Sequence, residues 1–386
     1  METKDFRTQT VLKGYPAGGE DKKNRWIIGL DVGYSSVKGM TRNSVFCFPS
    51  YVEEVVEDTI TVRSAVPTDI YYRDKTGLWA VGEQAYYEAT SKDMNDSNKE
   101  MTNLYWYNTP RYKIATAVGL ALGMRETSVG KPDLEGKPIV VQTGLPPKVR
   151  KSHTSAIKNS MAREYDFDLK VGKDGWEHYH FTITEDNVYV ADQPLGALIS
   201  ASINMYGKPI RESPKYFNSN VIVFDPGSVT VDTCTLSRGK ITDYETFTNL
   251  GMYEIFSRTC KDIEKEYGEI IDVARLQTLL ETGKLKVINR EEGSSKVIDI
   301  TEILERNCRN VCEETIEKMK HVHDYFSKTD YIIATGGTYD AWKDMFDQAF
   351  AKMEGLKIIP ANKNELQLSN VFSNVRGYYY YRLNDD

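Results

Sequence analysis

The chain has 386 residues, with 49 lysines and arginines against 56 aspartates and glutamates, giving a formal net charge of −7. That balance excludes a broad electrostatic grip on nucleic acid as its main business, and 40% hydrophobic residues with 11% aromatics exclude global disorder. No run reaches the roughly 18 to 20 apolar residues a membrane-spanning helix needs, and METKDFRTQTVLKGYPAGGEDKKN lacks a signal-peptide apolar region, so the chain is expected in the cytoplasm.

The length suits two or three domains. Residues 1–24 are polar, carry Gly18-Gly19 and a charged run, and read as a flexible extension. At Trp26 a buried strand, WIIGLD, begins; the turn GYSS and two further strands, VKGM and SVFCFPSYV, follow it. Ile114, Ala117, Val118, Leu120, Ala121 and Leu122 predict a core helix within TPRYKIATAVGLALGM. PIVVQTGL is another buried strand ended by Pro146-Pro147, with a charged helix over 148–164 after it. The stretch 187–206 then runs from a short strand into a helix rich in small residues, closed by Gly207.

Residues 208–219 are polar and irregular, the best candidate for a domain boundary. Beyond them the opening pattern returns in NVIVFDPGSVTVDTCTLSRGKI, again a buried strand ending in Asp, a glycine turn and an alternating strand. Asp31 with Gly33 and Asp225 with Gly227 share the D-x-G spacing, 225 − 31 = 194 positions apart, so two copies of one α/β unit are expected. Helices over 251–283 and 301–327, a strand entering a Gly-Gly turn and helix in DYIIATGGTYDAW, and a closing helix in SNVFSNVRGYYYYRL complete the reading.

A carboxylate at a buried strand end with glycine two residues on offers a phosphate chain backbone N–H donors and a hold on its cation. One D-x-G alone also describes an ordinary hairpin turn; two on matching strands, followed by the glycines of IIATGG where a strand gives way to a helix, form a specific set. Cys308 and Cys312, four apart on a helix with His321 and His323 downstream, fit no common zinc module and read as core residues. The five cysteines, odd in number and scattered, predict reduced thiols.

These motifs resemble those of the actin superfamily of actins, DnaK-type chaperones, sugar kinases and bacterial filament ATPases. IGLDVGYSSVKGM is similar to the first phosphate motif, ADQPLGAL to the connecting helix, FDPGSVTVD to the second phosphate motif and IIATGGTYD to the adenosine motif. Within the superfamily the ParM-like plasmid-segregation actins are the branch most resembled, partly through the ending NVRGYYYY.

The resemblance implies an α/β, duplicated, ribonuclease H-like fold of two lobes with nucleotide in a central cleft. It places domain I over 25–207, domain II over 208–360 and, over 361–386, a C-terminal helix packing back on domain I. It implies ATP, with GTP left open, and Mg²⁺ held mainly through water by Asp31, Asp225 and Asp232. Gly33, Tyr34, Ser35, Ser36 and Lys38 would meet phosphate from the first motif and Gly227 and Ser228 from the second. Gly336, Gly337 and Thr338 would lie by the α-phosphate and ribose. Gln193 would position the attacking water, so that Gln193, Asp225 and Asp31 form the catalytic set. Pro226, Ser228 and Val229 depart from the glycine and threonine run of many relatives, and Tyr34 is bulky where small residues are common; its ring could stack, cap the pocket or point away.

Some 50 residues after the adenosine motif leave no room for a chaperone's substrate domain, no carboxylate base for a sugar stands out, and neither terminus supplies an amphipathic membrane helix. The resemblance thus implies a filament-forming ATPase that self-associates head to tail and moves plasmid DNA through a small ParR-like adaptor at a centromere-like site, with little DNA binding of its own. A non-polymerising phosphotransferase or nucleotide sensor on the same fold stays open.

Overall fold

The computed structural model describes residues 2–55, 64–88 and 106–385. Two compact units divide the chain, one of Thr8–Ser213 with Asn362–Asp386, the other of Met1–Arg7 with Pro214–Ala361. Among the described residues no helix is long and apolar enough to cross a membrane.

The first unit contains β1 (Val11–Gly14), β2 (Trp26–Val32), β3 (Ser36–Met40), β4 (Ser44–Pro49), β5 (Val52–Glu54), β6 (Ile70–Asp74), β7 (Gly77–Val81), β8 (Ile139–Leu145), β9 (Glu164–Val171), β10 (Glu177–Thr182) and β11 (Val188–Asp192). Its main sheet runs β1-β4-β3-β2-β8-β11, and a second sheet runs β10-β9-β6-β7-β5. The helix Pro110–Gly123, with Thr109 capping it by accepting from the Tyr112 amide, is buried along most of its length, as the apolar run predicted. Ile28, Leu30, Val37 and Phe46 share one core with that helix's Val118 and Leu120.

The second unit contains β12 (Asn220–Pro226), β13 (Thr230–Ser237), β14 (Lys240–Thr248), β15 (Lys284–Asn289), β16 (Ser294–Asp299), β17 (Tyr331–Ala334) and β18 (Lys357–Pro360). Its sheet runs β14-β13-β12-β17-β18, the same sequence of two antiparallel and then two parallel pairings as β4-β3-β2-β8-β11. The duplication read from D-x-G is therefore a duplication of whole sheets. Cys308 and Cys312 are buried in this unit's core on the helix Thr301–Val322, where burial pushes the Cys308 thiol up to about 11.

The termini differ from expectation. Residues 2–24 are built into the fold: Thr3–Phe6 is a 3-10 helix whose Phe6 joins the second core, and Thr3 Oγ1 donates to Leu280 O at 2.8 Å. β1 adds a strand to the edge of β4, and Tyr15 is buried with its hydroxyl donating to Glu365 Oε2 at 2.8 Å. A few apolar residues, Phe6, Val11, Leu12 and Tyr15, anchor an otherwise polar segment. The chain passes between units at 7/8, and at 213/214 and 361/362 rather than 207/208 and 360/361, and the segment 208–219 includes a short helix, Ser213–Asn218. Gly207 does not close the preceding helix, which ends at Ser202; it turns a loop five residues later with φ 74°.

The C-terminal helix Ser373–Leu383 lies in the first unit against Gln193–Ser202, backbone to backbone. A Cβ on Gly377 would stand 1.9 Å from Gly196 O, and one on Gly29 2.5 Å from Val375 O, so only glycine permits this approach. Arg376 is buried and donates to Ser200 O at 2.8 Å and Asn204 O at 2.6 Å. Tyr378, Tyr379 and Tyr380 are buried beside it, which makes the aromatic ending packing rather than display.

Candidate nucleotide-binding hairpins

The first motif is the hairpin of β2 and β3. Asp31 ends the buried run of β2 and pairs in register with Lys38, whose Nζ lies 3.4 Å from Asp31 Oδ2, both side chains being largely shielded. The turn is held from within: Gly33 N–H donates to Ser36 O at 3.0 Å, Ser50 N–H to Ser35 O at 3.0 Å and Ser50 Oγ to Gly33 O at 2.7 Å. The Gly33 amide, expected to face phosphate, is thus engaged in closing the turn, as a tight i to i+3 return demands. The open question of Tyr34 is answered by Trp106: their ring centroids stand 5.4 Å apart, and Trp106 meets Tyr112 edge-on at 4.5 Å.

The second motif, in the other unit, is the hairpin of β12 and β13, and it repeats the bond that closes the first turn. Asp225 pairs in register with Asp232, and Gly227 N–H donates to Thr230 O at 2.8 Å. Asp225 is buried. Asp232 has its carboxylate oriented by two hydroxyls, Thr230 Oγ1 at 2.9 Å on one oxygen and Thr246 Oγ1 at 2.6 Å on the other. Thr246 comes from β14 and carries no motif; only strand pairing brings it there.

The turn of this hairpin is tied to two helices. Met252 N–H donates to Gly227 O and Tyr253 N–H to Ser228 O at the start of Met252–Tyr267, an approach that Gly251 makes possible because its Cβ would fall 2.1 Å from Ser228 O. Thr338 Oγ1 donates to Gly227 O at 3.2 Å from the first turn of Gly337–Phe350. Before it Gly336, at φ 87° and ψ 161°, makes the bend that other residues resist, and a Cβ there would stand 3.4 Å from Asp225 Oδ1. Adenosine motif and second phosphate motif are one connected assembly within this unit. The exposed amide end of a 14-residue helix opens beside them, where an anion is favoured.

Gln193 is the first residue of the helix Gln193–Ser202, one step later than the turn the sequence suggested. Asp192 sits at the N-cap without capping; its carboxylate instead accepts from Arg150 Nε at 2.6 Å. Arg150 lies on Pro147–Met161, and its bond to Asp192 was hidden in a helix that reads only as charged. Among the described residues no three carboxylate, imidazole or thiol groups converge as a ready metal cage. The hard oxygen of a strand-end carboxylate, one in each hairpin, nevertheless suits Mg²⁺.

Residues 29–196 match the family model described as "Actin like proteins N terminal domain". No curated protein matches the chain. Among solved structures, a non-polymerisable quadruple mutant of pCBH ParM is 18% identical, with a TM-score of 0.65 over 93% of this chain and 99% of that one. A 15-stranded ParM filament from Clostridium botulinum gives 17% and 0.65 over the same shares. An archaeal actin homologue, Ta0583, in complex with ADP gives 17% and 0.61 over 92% of this chain and 99% of that one. Together with the repeated sheets these likenesses show the duplicated actin-like fold of two units, with the family-model match confined to residues 29–196.

Proposed function

We propose that this chain is an actin-like nucleoside triphosphatase that assembles into filaments under nucleotide control and segregates plasmid DNA through a DNA-binding adaptor. One observation carries the reading: a single glycine-turn hairpin with a strand-end aspartate occurs in both copies of one sheet, and the second copy is bonded to the first turn of Gly337–Phe350. In this reading each hairpin offers turn amides and hydroxyls to phosphate, from Tyr34, Ser35 and Ser36 in one and Ser228 in the other, with Gly33 and Gly227 shaping the turns. Lys38 adds a cation. Asp31 and Asp225, with Asp232 held in place by its threonines, orient the waters of Mg²⁺, which neutralises phosphate charge when bound.

Gln193 orients a water that attacks the γ-phosphorus as the bond to the bridging oxygen breaks, giving nucleoside diphosphate and phosphate. Gly336, Gly337 and Thr338 lie by the α-phosphate and ribose. Support for assembly comes from relatives whose names describe filaments, and support for an adaptor from the net charge of −7, which disfavours direct contact with DNA. Head-to-tail contacts of this kind give open filaments.

The test is pelleting and negative-stain imaging with Mg-ATP, Mg-GTP, a slowly hydrolysed analogue and no nucleotide. Filaments that need nucleotide are expected, and the nucleotide that raises them names the fuel. Hydrolysis without filaments at any concentration would instead favour a phosphotransferase or sensor.

A further inference from the structure

A recess of about 430 Å³ opens in the first unit beside Trp26, at the end of β2 opposite to Asp31. Four separate pieces of chain wall it: the segment 16–25, the turn after β3, the loop 129–137 and the C-terminal helix. Its size falls in the roughly 300–1,000 Å³ typical of small-molecule sites.

Its charge is at odds with the rest of the chain. Four cations line it, Arg25, Arg42, Lys131 and Lys137, against the two carboxylates of Asp21 and Asp133. Both carboxylates are already engaged: Asp21 Oδ1 accepts from Arg25 Nη2 at 2.7 Å, and Asp133 Oδ2 from Lys137 Nζ at 2.8 Å. Arg42 and Lys131 are exposed and have no ion-pair partner among the described residues. A chain with net charge −7 therefore keeps a locally positive hollow, whose apolar floor is made by Ile27, Tyr379 and Leu383. Two uncommitted cations over an apolar floor recognise a small molecule bearing at least two anionic groups on a compact organic body.

We propose that this recess is a binding site for a small organic polyanion, bearing phosphate or carboxylate groups, distinct from the phosphate hairpins. Isothermal titration with pyrophosphate and with citrate, at ionic strength matched by sodium chloride, tests it. Binding is expected, and Arg42→Ala or Lys131→Ala should each weaken it about tenfold, the worth of one charge-assisted contact. Both side chains are exposed, so these variants should melt like the parent. Lys38→Ala should leave the affinity within about twofold. Binding of pyrophosphate alone would make the ligand a phosphate compound, and of citrate alone a carboxylate. No binding, affinities unchanged in both recess variants, or loss in Lys38→Ala alone would overturn the assignment, the last by placing the anion on the hairpin.

Discussion

Lys38 and Asp232 occupy the same position in two copies of one hairpin, each directly across the ladder from a strand-end aspartate, and they carry opposite charge. In the proposed function, the lysine-bearing copy would hold phosphate and the aspartate-bearing copy cation and water. The expected outcome is a split. Lys38→Ala should weaken nucleotide binding, about tenfold from the loss of a charged contact, whereas Asp232→Ala should act mainly on turnover. Fluorescent-nucleotide titration and phosphate release read the two separately; equal effects of both variants on affinity would refute the division.

Asp225→Ala and Gln193→Ala should slow hydrolysis more than they weaken binding, by at least about tenfold in turnover, because each acts on the attacking water or its cation. Single-turnover phosphate release checks this. If both variants hydrolyse nucleotide like the parent, the water-positioning role of Gln193 and the cation role of Asp225 are wrong.

The contact of Gly196 with Gly377 leaves no room for a methyl group. Gly377→Ala should cost about 1–3 kcal/mol through forced separation of the two helices, seen as a lower midpoint in thermal or urea unfolding. An unchanged midpoint would mean that the helices slide apart freely.

Arg258 joins two helices of the second unit, with Nη1 2.5 Å from Glu314 Oε1 and Nη2 3.0 Å from Oε2. This bidentate bond holds the Glu314 carboxyl below its ordinary 4.5. A carboxylate depressed in the folded state stabilises above its unfolded value, and that contribution is lost as pH falls through the folded value. Because Glu314 is partly exposed, the pair is worth at most about 1 kcal/mol. Arg258→Ala should therefore lower the melting temperature at pH 7 and approach the parent as the pH falls below 4.5; a constant gap would place the effect in packing rather than charge.

Much of the main architecture was legible because buried strands write themselves as unbroken apolar runs. WIIGLD and NVIVFD, each closed by aspartate and a glycine turn, announced both copies of the sheet. The sheet β10-β9-β6-β7-β5 was not legible: its strands are half exposed, and β9 and β10 alternate charged and aromatic residues instead of forming the unbroken apolar runs of the main sheet. The N-terminal segment was missed because four anchoring side chains are diluted among polar ones. At the site, the motifs marked Asp31, Asp225 and Gly336, while Trp106 against Tyr34, Thr246 on Asp232 and Arg150 on Asp192 depend on pairings between distant segments. Such pairings follow from topology, and no local pattern records them.

The glycine-lined seat for Ser373–Leu383 also sets an order on the chain's synthesis. Gly29 and Gly196 emerge from the ribosome long before the helix that covers them, whereas the second unit has all its strands once β18 is made. The unit whose sheet is made first is finished last, and until its final helix docks it shows a bare apolar groove to the chaperones and proteases of the cell.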